Sequence, residues 1–192
     1  MDWTAILGLV GSFAACFAAA SMGAVFKPGE WYKGLRKPSW NPPNWAFPLA
    51  WSALYLMIGT AGWLVWRADG FGLPLAFWGV QLFFNALWSI VFFGLRRLGW
   101  CLVEAWFLWS SILACVILFA PVSATAAWLM VPYLAWVSFA VALNRAIWRR
   151  NPGPHPVITW AELKAPSEIS VARAAARAER ALVKANQAQR AQ

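Results

Sequence analysis

The side chains that could do chemistry in this sequence are aromatic rings and amides, gathered in three clusters. The first runs Lys37-Pro38-Ser39-Trp40-Asn41-Pro42-Pro43-Asn44-Trp45-Ala46-Phe47-Pro48 and on to Trp51, Leu54 and Tyr55. Its four prolines fix φ and stiffen an extended stretch. A rigid, basic, aromatic segment suits a lid over a flat ligand; a helix-start turn with interfacial anchors is the equally weighted alternative. In the second cluster Gln81, Asn85 and Ser89 recur every fourth residue, beside Trp88 and ahead of Phe92-Phe93-Gly94. That spacing is one stripe of a helix. An amide left unpaired in an apolar medium costs roughly 2–7 kcal/mol, so this stripe must face neighbouring helices or a cavity. Gln81 reads as interhelical glue and Asn85 as a ligand contact. The third cluster is Pro132-Tyr133-Leu134-Ala135-Trp136, Phe139-Ala140 and Leu143-Asn144, with Trp136, Ala140 and Leu143/Asn144 on one face.

Other chemistries find little support. No GxSxG, Walker or HExxH pattern occurs. The single histidine, His155, sits in a Pro-rich stretch, a poor place for a metal or heme ligand or a general base. The three cysteines, Cys16, Cys101 and Cys115, are odd in number, form no CxxC and lie in apolar runs, so they read as small buried hydrophobes. Glu104 is a lone acid within an apolar run. It is expected to pair with Arg96, Arg97 or Arg145, or to snorkel, ahead of acting as a proton relay.

The elements that must position these clusters are membrane-spanning helices. Of 192 residues 61% are apolar and only 12% charged, and the mean hydropathy is +0.56. A soluble globule carries about twice that charge, and disorder needs low hydrophobicity. Uncharged runs mark spans at 3–26, read as an uncleaved helix and not a signal peptide, then 45–66, 71–95, 98–119 and 124–148, with the break between the last two at Pro121. Lipid forbids open sheet edges, and these runs are too long for barrel strands, so five helices are predicted. Residues 1–150 form that transmembrane domain; residues 151–192 are a Pro-rich linker and an Ala/Arg-rich tail. In the tail Arg173, Arg177, Arg180 and Lys184 share one helical face, as a solvated segment or a stripe on anionic headgroups.

The net charge of +9 follows from topology and not from nucleic-acid binding. Lys27, Lys33, Arg36 and Lys37, then Arg96 and Arg97, then Arg145, Arg149 and Arg150 fall on one side after five crossings. The positive-inside rule puts that side in the cytoplasm and the N-terminus outside. About half of the 16 tryptophans sit near span ends, as an interfacial belt. Trp51, Trp88, Trp106, Trp109 and Trp136 lie deeper and need another explanation. Gly8, Gly11, Ala14, Ala15, Ala18, Gly59 and Gly62 offer the small surfaces on which helices associate.

Together the motifs resemble the TspO family of tryptophan-rich sensory and translocator proteins. The pieces are Glu30-Trp31-Tyr32, Lys37-Pro38-Ser39-Trp40-Asn41-Pro42-Pro43, Trp51 with Leu54-Tyr55, Met57 with Gly59, Gln81-Leu82 with Asn85, Phe92-Phe93-Gly94, Gly99-Trp100, and Pro132-Tyr133-Leu134-Ala135-Trp136 with Leu143-Asn144. They occur in order across residues 1–150. The resemblance implies a five-helix bundle with a long Pro/Trp-rich first loop, usually a homodimer, that binds protoporphyrin IX or heme and needs no other cofactor. Carried over by motif, the ligand-binding residues are Ala24, Trp31, Tyr32, Pro42, Trp51, Tyr55, Asn85, Trp88, Trp136, Ala140 and Leu143. Some bacterial members are described as degrading porphyrin in light, which would make Trp51 and Trp136 the catalytic indoles. The role implied is a sensor, regulator or transporter of porphyrins, or such an enzyme. The four cations of the first loop would meet the propionates, or serve topology alone. Arg145 stands where the family's cholesterol-recognition pattern has a tyrosine, which speaks against sterol binding. Charge asymmetry favours an inner membrane, although other members lie in outer membranes.

Overall fold

In the computed structural model of the chain the described residues are 3–164, with 176 and 179. The Arg173–Lys184 stripe lies outside them. Residues 1–158 make one compact unit and 159–192 another. The first holds α1 (Trp3–Val25), α2 (Glu30–Gly34), α3 (Ala46–Asp69), α4 (Leu73–Ser89), α5 (Leu98–Phe119) and α6 (Ala124–Arg150); the second holds α7 (Trp160–Lys164). No strand occurs among the described residues.

The helix ends follow from local chemistry. Helix α3 closes at Gly70, whose φ of +66° is open to glycine, with its N–H on Trp66 O at 2.8 Å. Helix α4 has Pro at its first turn, where no N–H is needed. The turn at Pro121 separates α5 from α6, and Ser123 caps α6 by accepting from Ala126 N. Helix α6 runs past the expected Trp148 to Arg150, just before Pro152. Two features were not expected. Helix α2 adds a helical turn inside the first loop. Beyond Ser89, α4 continues as a π-helical turn over Ile90–Gly94, with Leu95 N bonded to Ile90 O at 2.8 Å.

Among the described residues five helices, counting α4 with its π turn, are long and apolar enough to cross a membrane. They close into a ring in the order α1, α3, α6, α5, α4 and back to α1. One core cluster fills the ring with Ile58, Val65, Ile112, Cys115, Phe119, Met130 and Tyr133. A second, at the α2 end, joins Tyr32, Leu35, Phe92, Leu98, Cys101, Leu143 and Ile147. Leu7, Val10, Phe17, Leu56, Phe83, Phe107 and Ile117 face outward. In lipid such faces are solvated, so the bundle gains its cohesion from close packing and polar pairs. All three cysteines are buried and free.

The small residues are used inside the chain. A Cβ at Gly8 would collide with the Trp66 indole, one at Gly62 with Trp78, and one at Gly59 would lie 2.8 Å from the Phe13 ring. Three glycines that could have served dimerisation thus seat rings of the same chain, leaving Gly11, Ala14 and Ala18 exposed on α1. Trp78, set against Gly62, is buried and donates its Nε1–H to Ile58 O at 3.0 Å. Gly62→Ala is therefore expected to destabilise the bundle by about 1–3 kcal/mol, read as a lower thermal midpoint in detergent, while Gly11→Ala leaves that midpoint unchanged.

Candidate functional site

The site is built around one amide. Tyr55 on α3 donates its hydroxyl to Asn85 Oδ1 at 2.6 Å, and Asn85 on α4 donates Nδ2–H to the Tyr133 hydroxyl on α6 at 2.8 Å. Asn85 is thus interhelical glue as found, satisfied at both ends of its amide. Trp51, one turn before Tyr55, lies with its ring centroid 5.5 Å from Tyr55 and 6.1 Å from Tyr133.

Along α6, residues 133, 136, 140 and 143 share a stripe. Trp136 meets Phe47, at the start of α3, at 6.0 Å and Phe139 at 5.8 Å; Phe139 in turn meets Trp40 of the first loop at 5.7 Å. On the α4 side Trp88 stacks on Phe92 at 4.9 Å and 16°. Phe92 also takes Trp31 edge-on at 5.9 Å and Tyr32 at 6.1 Å. Leu143 is buried among Tyr32, Phe92 and Ile147, tying the two aromatic groups together. The π turn carries Phe92 and Phe93 into this contact.

The first loop is fastened as a cover. Lys37 Nζ sits 4.3 Å over the Tyr32 ring; burial lowers the Lys37 ammonium and raises the Tyr32 phenol from their ordinary values. Asn151, just past α6, accepts from Arg36 N at 2.9 Å and donates to Arg36 O at 3.0 Å. Ile158 N bonds Gly94 O at 3.0 Å, and His155 lies edge-on to Trp31 at 5.5 Å. Residues 151–158, expected to be a linker, are thus pinned across the same end. Two polar atoms of the cover, Trp31 Nε1 and Asn41 Oδ1, are buried with no hydrogen-bond partner among the described residues.

Of the expected site residues, Trp31, Tyr32, Trp51, Tyr55, Asn85, Trp88, Trp136 and Leu143 enter these contacts; Ala140 and Pro42 are half-buried beside them, in α6 and in the loop. Ala24 is exposed near the end of α1, where neighbouring Gly23 approaches the Ser89 hydroxyl. Tyr133, Phe47, Phe92, Phe139 and Trp40 were missed as site residues. Tyr133 had a signal, standing three residues before Trp136 on the same stripe. Of the deep tryptophans, Trp106 and Trp109 stand apart, edge to face at 5.8 Å, with Trp109 Nε1 on Ser138 Oγ at 2.8 Å. The expected partners of Glu104 are not found: its carboxylate is buried, and neither oxygen has a hydrogen-bond partner among the described residues. Gln81 is buried in the same condition, so it is not glue to any described side chain.

The TspO/MBR family model matches residues 5–149. The chain is 44% identical over 152 residues to Protein CrtK of Rhodobacter capsulatus, covering 76% of this chain and 93% of that one. It is 43% identical over 151 residues to the tryptophan-rich sensory protein of Cereibacter sphaeroides, covering 79% and 94%. With the human translocator protein it shares 40% identity over 140 residues, covering 69% and 83%. All the clusters described above fall within the matched span, and residues 151–158 do not.

The central amide makes a testable demand. Asn85→Leu leaves the Tyr55 and Tyr133 hydroxyls buried without their partner, at about 1–3 kcal/mol each. The thermal midpoint is expected to fall, and adding Tyr55→Phe and Tyr133→Phe to Asn85→Leu is expected to restore part of it.

Proposed function

The chain belongs to the TspO/MBR family, and on that basis we propose that it binds a tetrapyrrole, protoporphyrin IX or heme, between its helices and beneath the first loop. The observation that carries this reading is a pair of ring groups on the bundle's inner faces: Trp51, Tyr55 and Tyr133 joined through Asn85, and Trp31, Tyr32 and Trp88 gathered on Phe92. A porphyrin is a large flat π-system bearing two carboxylates. Indoles stack on such a surface and apolar helix faces solvate it. Trp51 and Trp136, half-buried on α3 and α6, are the stacking partners in this reading. Trp31 Nε1–H is a buried donor to spare beneath the cover, and Lys27, Lys33, Arg36 and Lys37 are charges of the right sign for propionates. His155, engaged by Asn151 and Trp31, is not the ligand to an iron in this reading.

As its role we propose a membrane sensor, regulator or transporter of porphyrins, working as a homodimer in the inner membrane with the N-terminus outside. Supporting the orientation, the three basic segments meet at one end of the bundle, as the Arg36–Asn151 and Gly94–Ile158 bonds require. A second reading is favoured by one contact. Trp51 lies against two phenols, Tyr55 and Tyr133, that share the Asn85 hydrogen bonds. Such a group of oxidisable rings suits light-driven porphyrin breakdown with dioxygen as the oxidant.

Titrating the purified protein with protoporphyrin IX in the dark is expected to quench tryptophan fluorescence saturably, and more weakly in Trp51→Phe and Trp136→Phe. New absorbance bands that appear only under illumination, and only with both indoles intact, select the enzyme. Absence of saturable quenching removes the tetrapyrrole reading and leaves the fold untouched.

A further inference from the structure

Apart from the aromatic site, at the end of the bundle where the basic segments meet, lies a cavity of about 350 Å³ between the α4–α5 turn, the start of α5 and the segment after α6. Arg96, Arg97, Trp100, Trp148, Gly153 and His155 are among its walls, and no carboxylate is. We propose that this cavity binds a phosphate group, with Arg97 and His155 as its ligands.

The two arginines have different tasks. Arg96 is structural: its guanidinium is buried, donates to Pro156 O at 3.3 Å and lies 5.2 Å over the Trp31 ring. Arg97 is exposed, and its guanidinium makes no hydrogen bond or ion pair among the described residues. A guanidinium presents a planar fork of donors matched to phosphate. His155 holds Nε2 at 3.3 Å from Asn151 O, which orients the ring and leaves Nδ1 without a hydrogen bond among the described residues.

The walls are fixed before any ligand arrives. Arg96 has φ +54° and Gly153 φ +105°, two left-handed positions that turn the chain around the cavity. Ile158 N on Gly94 O closes the segment behind it. Among the described loop residues of the first unit at this end the acid is Glu30, and it is paired with Lys33 at 2.9 Å. Trp100 and Trp148, both exposed, stand at the rim, where indoles mark the depth of lipid headgroups. The cavity exceeds a bare phosphate and admits a phosphoglycerol. Two sources share this chemistry: an anionic phospholipid headgroup and a free phosphate.

The test uses the full chain in native mass spectrometry, released from phosphatidylcholine nanodiscs containing phosphatidylglycerol. Wild type is expected to retain phosphatidylglycerol over phosphatidylcholine. Arg97→Gln and His155→Gln are expected to lose about tenfold of that preference, the worth of one charged hydrogen bond. Arg67→Gln, at the other end of α3, is expected to keep it. Adding inorganic phosphate separates the sources: displacement of the lipid makes the site one for phosphate from either, and no displacement makes it a headgroup site. Protoporphyrin quenching in each variant reports on the fold and on the chamber separately. Equal retention of the two lipids by wild type, or an unchanged preference in Arg97→Gln, overturns the proposal.

Discussion

Hydrocarbon offers no water to a buried polar group, and the Tyr55–Asn85–Tyr133 relay is where this chain meets that constraint most fully. One amide satisfies a phenol on α3 and engages another on α6. It thereby sets the rotation of three helices about their axes. Trp51 and Trp136 are then carried on faces that the relay has already turned inward. Apolar packing alone would hold the ring less specifically, because lipid competes for the same surfaces. The polar contact chooses among packings that are otherwise close in energy.

Most of the fold was legible in the sequence, and for a reason peculiar to membranes. Charge is so costly in the bilayer that Arg67, Arg96-Arg97 and Arg149-Arg150 punctuate the chain more sharply than any propensity does. The break at Pro121 was visible because 98–144 is too long for a single crossing. The π turn at Ile90–Gly94 was not visible, since nothing in a run of apolar residues says that a bond goes to i−5 instead of i−4. Helix α2 escaped notice because five residues leave no periodicity to count.

The candidate site divides in the same way. Asn85, Trp51 and Trp136 stood out, being costly or rare where they occur. Tyr133 and Phe92 did not, since a phenol or phenyl on an apolar helix looks like core until its neighbour is known. The partners of Asn85 depend on how helices distant in sequence pack, and spacing within one helix cannot supply that. Glu104 shows the converse case. Its position predicted a basic partner or a reach to the surface, yet Arg97 and Arg145 are exposed and Arg96 is buried on Pro156 O, leaving the acid inside.

The clasp between Arg36 and Asn151 joins residues 115 apart in sequence. A ribosome adding about 5–20 residues per second needs on the order of ten seconds to travel from one to the other. The first loop therefore emerges, and waits unfastened, while α3 to α6 are still being inserted. The chamber gains its cover only after its last wall is in place. Completion of the site is a terminal step of biogenesis, because Asn151 and Ile158, which fasten the first loop and the π turn, both follow the last spanning helix.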